Sequence, residues 1–117
     1  MDKIRLFDDI SLADLDSRSW RNFRQGVDIL PLTGEPTTKG SSALLRYRPG
    51  ARVPAHIHRG VEHILVLHGS QEDEKGLHEA GQLVINGEDT RHSIVSEEGC
   101  IVLAIWCGNL EPISEPE

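Results

Sequence analysis

Residues 50–69 read GARVPAHIHRGVEHILVLHG and contain two histidines two positions apart, His56 and His58, followed by Glu62. In a β-strand, side chains two positions apart lie on the same face, so both imidazoles are expected to point to one place. Gly60 stands between the histidines and Glu62 and permits a sharp bend that brings the carboxylate beside the rings. The stretch therefore predicts two short strands that bring potential metal ligands together.

Short β-type runs continue on both sides of this stretch, separated by turn residues. They lie at 27–32, 43–48, 61–69, 82–87, 90–96 and 100–106. Many short strands at regular spacing, with almost no helical periodicity, indicate an antiparallel β-sandwich or barrel. The dipeptide Asn86-Gly87 predicts a tight hairpin turn.

The chain is expected to form one domain, since its 117 residues suffice for a single hydrophobic core. Residues 26–110 are interpreted as the β-barrel. Residues 1–25 are interpreted as an N-terminal arm or edge element, in which residues 11–16 are able to cap a helical turn. Residues 111–117 form an acidic tail with two prolines, which we expect to be frayed.

A third histidine, His92, lies in the later run at 90–96, flanked by small and β-branched residues. If that strand neighbours the first pair, its imidazole completes a set of three nitrogens and one carboxylate. Such a set suits one divalent ion of zinc, iron, manganese, nickel or cobalt. It leaves one or two coordination positions open for water, dioxygen or a chelating small molecule.

The spacing of these residues resembles the cupin superfamily. The first cupin motif is matched by Gly50, His56, His58, Glu62 and Gly69, and the second by Gly81 and His92. The resemblance implies an all-β fold, the double-stranded β-helix or cupin jelly-roll barrel. It also implies that His56, His58, Glu62 and His92 bind the metal.

Three positions depart from the second motif. Gly87 stands where the family has proline, Asp89 where it has a second glycine, and Ser96 where it has asparagine. Asn86-Gly87 is still able to make the turn, so the fold is expected to survive these changes. They leave open the subfamily and the shape of the pocket near Asp89.

A narrower resemblance covers roughly residues 20–110. Residues 46–76, together with SEEGC at 96–100, look like the ChrR-type cupins. That group includes the C-terminal metal-binding cupin of some zinc-dependent anti-sigma factors, and free-standing relatives similar to metal-dependent diketone-cleaving dioxygenases. The anti-sigma factors also have an N-terminal zinc-binding helical domain with a His and Cys signature. Residues 1–25 contain neither residue type, so a sigma-binding role is not expected.

Three functions remain open at this point. The first is a metal-dependent enzyme, such as a dioxygenase acting on a diketone or another small chelating substrate; no residue stands out as its general base, so the catalytic residues are unknown. The second is a non-catalytic metal-binding module, a sensor or regulator. The third is a structural β-domain with incidental histidines. Cupins commonly pair through an exposed sheet edge or face, so the resemblance also implies a homodimer.

Composition excludes several partners. The net charge of −7 would repel a phosphate backbone, so nucleic-acid binding is not expected. Neither a signal peptide nor an apolar run of membrane length is visible, which predicts a cytoplasmic protein without membrane attachment. Cys100 and Cys107 are seven positions apart on one predicted strand and so on opposite faces; two buried free thiols are expected, with a redox role as the alternative.

Five further residues have simpler interpretations beside functional ones. His63 follows Glu62 directly and is expected to point to the opposite face. His68 shares the parity of Glu62, so an inward position is possible, while His78 is expected in an exposed loop. Arg46 either pairs with a surface acid, the favoured interpretation, or binds a substrate carboxylate. Trp106 is expected in the core or barrel wall.

Overall fold

A computed structural model describes residues 20–113 of the protein. The described part contains these strands: β1 Arg21–Arg24, β2 Val27–Thr33, β3 Ser41–Tyr47, β4 Ala51–His58, β5 Glu62–Asp73, β6 Gly76–Glu79, β7 Leu83–Asn86, β8 Arg91–Ser96, β9 Cys100–Trp106 and β10 Leu110–Pro112. Residues 1–19, with the helical turn suggested for 11–16, and residues 114–117 lie outside the described residues. Within 20–113 there is no helix with the length and apolar character needed to cross a bilayer.

The strands form one continuous antiparallel sheet that curls into two layers. Its order is β1-β2-β3-β9-β5-β8-β4-β10, with β6 and β7 attached to β5. The first half of β5 pairs with β9 and β7, whereas its last residues pair with β6 and β8. β5 therefore passes from one layer to the other and closes one side of the barrel.

The main hydrophobic core lies between the two layers. Inward side chains alternate along β9, where Val102, Ala104 and Trp106 are 0–2% exposed. A second cluster, centred on Leu44, Leu67 and Ile101, lies on the opposite face of β3, β5 and β9. Trp106 thus lies in the core, as expected.

Gly60 lies in the predicted bend between β4 and β5, and close backbone contact also requires glycine there. A Cβ atom placed on Gly60 would lie 2.5 Å from the backbone nitrogen of Gly108, because the turn after β4 packs directly on the turn after β9. Asp89 adopts a left-handed conformation, with φ 64°, at the position where the cupin motif has glycine. Asp is one of the few residues other than glycine that tolerate this conformation, so the turn persists without glycine.

Three local predictions are wrong. Asn86-Gly87 does not close a tight hairpin, because β7 pairs with β5 while β8 pairs with β4 and β5. Cys107 is exposed, since it follows β9 on the outward parity, whereas Cys100 is buried; both thiols are free. His78 lies on β6 and is half-buried, because its ring is bound by Asp73.

Candidate metal centre

The histidine pair lies on β4 directly after a β-bulge. Val53 pairs with Ile94 and His56 pairs with His92, so two residues of β4 face a single residue of β8. In a regular strand, Val53 and His56 would lie on opposite faces because they are three positions apart. The extra residue at 54–55 lets both face the barrel interior, and His58 follows on the same face.

The structure brings His56, His58, Glu62 and His92 together. One ligand atom from each lies within 4.8 Å of all the others, and all four residues are buried. The three imidazole centroids are 4.6–5.1 Å apart and the rings are close to perpendicular. Perpendicular rings at this spacing let several ring nitrogens converge on one point instead of stacking.

Hydrogen bonds at the back of two rings determine which nitrogen is free. His56 Nδ1 lies 3.0 Å from the Pro54 carbonyl oxygen, and His58 Nδ1 lies 3.1 Å from that of Thr90. A carbonyl oxygen only accepts, so each Nδ1 carries a proton, and in the neutral form of these rings the lone pair is on Nε2. Second partners of this kind orient metal-binding histidines in proteins.

Glu62 is held by donors from two other strands. Asn86 Nδ2 donates to Oε1 at 3.0 Å and the Trp106 indole Nε1 donates to Oε2 at 2.8 Å. Burial alone would raise the pKa of the Glu62 carboxyl, but its contact with His58 and the other nearby imidazoles hold the pKa below its ordinary value. The carboxylate is therefore ionised and fixed, with Oε1 directed to the imidazoles.

Two buried nitrogens face this carboxylate without a hydrogen bond. His58 Nε2 lies 2.9 Å and His92 Nε2 3.8 Å from Glu62 Oε1, yet among the described residues neither nitrogen has a hydrogen-bond partner. Unpartnered buried polar atoms are rare and need an explanation. Three imidazole nitrogens and one carboxylate oxygen suit a divalent transition metal ion, so these residues fit such a group.

His92 has a carboxylate behind it. Its Nδ1 lies 3.4 Å from Oδ2 of Asp73, whose other oxygen binds the His78 ring at 3.0 Å. Burial, with a contribution from neighbouring His56, lowers the pKa of His92 to about 4, so the ring is neutral at neutral pH. Burial also lowers the pKa of His56. Neutral rings are the form that binds a metal ion.

The remaining sequence candidates lie outside this cluster. His63 points to the opposite face from Glu62, as predicted, between Ile85 and Ile105. His68 is exposed, because a register shift between Val66 and His68 ends the alternation along β5. Arg46 pairs with Asp28 at 3.4 Å and lies over the Trp20 ring, which agrees with the simpler interpretation.

Sequence reasoning missed the residues that support the ligands. Asn86 was assigned to a turn, Trp106 to the core, and Thr90 and Asp73 were not considered. The contacts of these residues depend on strand pairing, so no local signal in the sequence identifies them.

A cavity of about 440 Å³ adjoins the cluster at His56, which is the one residue of the four that lines it. Phe23, Leu110 and Ile113 contribute apolar walls, and Arg24 contributes a charge. The volume is within the range of small-molecule sites.

A curled antiparallel barrel with three histidines and one glutamate grouped inside it is typical of the cupin class of proteins, and the four residues are able to hold a metal ion. The family model described as the ChrR cupin-like domain matches residues 9–107, and the chain belongs to this family. The predicted double-stranded β-helix and ChrR-type resemblance are thus confirmed.

Two relatives represent the family. The anti-sigma-E factor ChrR of Cereibacter sphaeroides is 39% identical over 94 residues, which are 77% of this chain and 42% of that protein. The crystal structure of Rhodobacter sphaeroides SigE in complex with the anti-sigma ChrR matches with a TM-score of 0.69 and 36% identity, over 77% of this chain and 50% of that one. This chain spans half or less of the length of these relatives.

A third similarity is to the fold alone. An acetylacetone dioxygenase from Acinetobacter johnsonii matches with a TM-score of 0.73 at 16% identity, over 98% of this chain and 83% of that one. At this identity the similarity shows the barrel architecture alone and does not indicate an activity.

Proposed function

We propose that the protein is a non-catalytic metal-binding cupin module, a sensor or regulator, that holds one divalent ion of zinc, iron, manganese, nickel or cobalt. His56, His58, Glu62 and His92 are the proposed ligands. The observation that carries the proposal is the pair of buried, unpartnered Nε2 atoms of His58 and His92 facing Glu62 Oε1. The family membership, with an anti-sigma factor among the relatives, supports the regulatory form.

The chain itself supplies the conditions for binding. Hydrogen bonds to Pro54 and Thr90 fix two rings with Nε2 available, and Asn86 and Trp106 fix the carboxylate. Burial keeps bulk water from the ligand atoms. A divalent ion bound there would supply Lewis-acid polarisation and an open position for a small ligand.

The test is metal analysis of protein purified without a histidine tag, combined with thermal unfolding before and after dialysis against EDTA. We expect about one equivalent of metal and a lower Tm after chelation, because a ligand that binds only the folded state stabilises that state. Protein that takes up no metal from a mixture of these ions, with a Tm unaffected by EDTA, would eliminate the proposal.

A second candidate is a metal-dependent dioxygenase that acts on a small chelating substrate such as a diketone. The cavity that reaches His56 favours it, because a purely closed site would have no room for substrate. Oxygen consumption by the Fe(II)-loaded protein with a panel of β-diketones distinguishes the two. Turnover by wild type that is lost in His92→Ala supports the enzyme, and no turnover with any metal supports the module.

We also propose that two copies of the chain form a homodimer in the cytoplasm. Leu83, Ile85 and Ile105 are 40–56% exposed on the outer face of β7 and β9, and β7 pairs only with β5 among the described strands. The two free thiols agree with a reducing compartment. Sedimentation should give twice the chain mass for wild type and for Leu77→Lys, which changes an exposed leucine on β6. Ile85→Lys should give the monomer, and a monomeric wild type would exclude the dimer.

A further inference from the structure

Arg24 is a charged residue in the wall of a cavity whose described lining residues carry no opposite charge. It ends β1 and is half-buried, and it lines the cavity that reaches His56. Among the described residues that line this cavity, none is acidic; the others are apolar or neutral apart from His56. The guanidinium is therefore the one fixed charge that the described walls present to a ligand in this cavity.

Within residues 20–113, the Arg24 guanidinium has no hydrogen bond and no ion pair; Asn22 donates to its backbone carbonyl. Arg46 is matched by Asp28, and Arg59 by Asp89 and Glu111. The other arginines without an ion pair among the described residues are exposed, and Arg24 alone of these unmatched arginines is half-buried; the exposed ones are Arg21, Arg48, Arg52 and Arg91. A half-buried guanidinium loses part of its hydration, so an unmatched one provides a site for an anion.

A second groove, of about 580 Å³, adjoins this cavity at Arg24 and Pro54. Arg48 and Arg52 also line it, and none of its described lining residues is acidic. On a chain with a net charge of −7, this arginine-lined groove is locally positive. A positive groove beside a cavity concentrates small anions at its entrance.

We propose that the cavity binds a small organic acid, whose carboxylate pairs with Arg24 while its apolar body lies against Phe23 and Leu110 and its other end reaches the metal centre at His56. The inference rests on the proposed metal site and adds the class of its ligand. Arginine suits this role because its planar guanidinium binds a carboxylate through two parallel hydrogen bonds. A contact with a substrate carboxylate is the less favoured sequence interpretation of Arg46, and Arg46 is matched by Asp28.

The test compares two probes that differ in charge and by one methyl group. They are succinylacetone, a β-diketone with a terminal carboxylate, and its methyl ester. Isothermal titration of the Zn(II)-loaded full chain gives both dissociation constants. We expect wild type to bind the acid about tenfold or more tightly than the ester, the size of effect expected for a charged hydrogen-bonded pair. Arg24→Gln should bring the ratio close to one, and Arg24→Lys should keep part of it.

Arg21→Gln is the matched control, because it removes the same charge from the exposed start of β1. It should leave the wild-type ratio unchanged. Equal binding of acid and ester, binding of neither probe by zinc-loaded protein, or an unchanged ratio in Arg24→Gln would each overturn the inference while the metal site stands. Zinc analysis of the same samples separates these results from a failure of the metal site, which would remove both proposals.

Discussion

Replacing Trp106 by phenylalanine tests whether the core holds the buried Glu62 carboxylate in place. The indole Nε1 donates to Glu62 Oε2 at 2.8 Å, and Trp106 and Glu62 are only 2% and 3% exposed. A hydrogen bond to a charged group contributes about 1.5–3 kcal/mol. The smaller ring adds a cavity cost of about 1 kcal/mol. We therefore expect Trp106→Phe to lower the free energy of unfolding by about 2.5–4 kcal/mol.

A double-mutant cycle separates the hydrogen bond from the cavity. In a Glu62→Gln background, Trp106→Phe removes a hydrogen bond to a neutral acceptor. The loss of unfolding free energy that it causes should therefore be smaller by about 1 kcal/mol. Urea unfolding in EDTA at neutral pH, followed by circular dichroism, measures all four proteins without a contribution from metal. Trp20→Phe, the same change at the other tryptophan, should cost the same in both backgrounds. Equal costs of Trp106→Phe in both backgrounds would refute the anchoring of Glu62 by the indole.

Three further predictions concern the ligands and the turn that places them. His92→Ala should abolish uptake of metal in elemental analysis, because it removes one of three converging nitrogens. His68→Ala, which changes an exposed histidine, should retain the uptake. Uptake by both variants would contradict the ligand set. Asp73→Asn should weaken metal binding about 10–100-fold in competition with a chelator, since it removes the charge behind His92; unchanged affinity would show that the contact is incidental. Gly60→Ala should cost about 1–3 kcal/mol in urea unfolding, because the new methyl group meets backbone at 2.5 Å. Gly87→Ala, whose methyl group would lie 3.7 Å from the nearest atom, should be close to neutral, and similar costs for the two would remove the packing argument.

The cluster could be predicted because most of its pattern is local. His56 and His58 share a face by simple alternation, and Glu62 lies one short turn away. His92 joins them on two grounds, its place in the second cupin motif and the condition that its strand neighbours β4; β4 and β8 do pair at His56 and His92. The spacing of the motif residues indicates which strands are neighbours, because the number of residues between two strands limits whether they are able to meet.

The supporting residues could not be predicted because their roles depend on distant pairing. Trp106 and Asn86 stand on β9 and β7, which lie on either side of the start of β5, and Glu62 faces both in register. From sequence alone, a tryptophan in an apolar run is a core residue and Asn-Gly is a turn. Each assignment follows a sound local rule, yet it omits the buried carboxylate that these side chains satisfy.

The bulge in β4 affects both the orientation of His56 and the cavity that reaches it. Pro54 lies in the bulge, where its missing N–H costs less than in a regular ladder, and its carbonyl oxygen accepts from His56 Nδ1. The same residue lines both the cavity at His56 and the arginine-lined groove. A regular strand at this point would turn His56 away from Val53 and the interior. One irregular pair of residues therefore both directs His56 inward and forms part of the wall past which a small molecule would approach it.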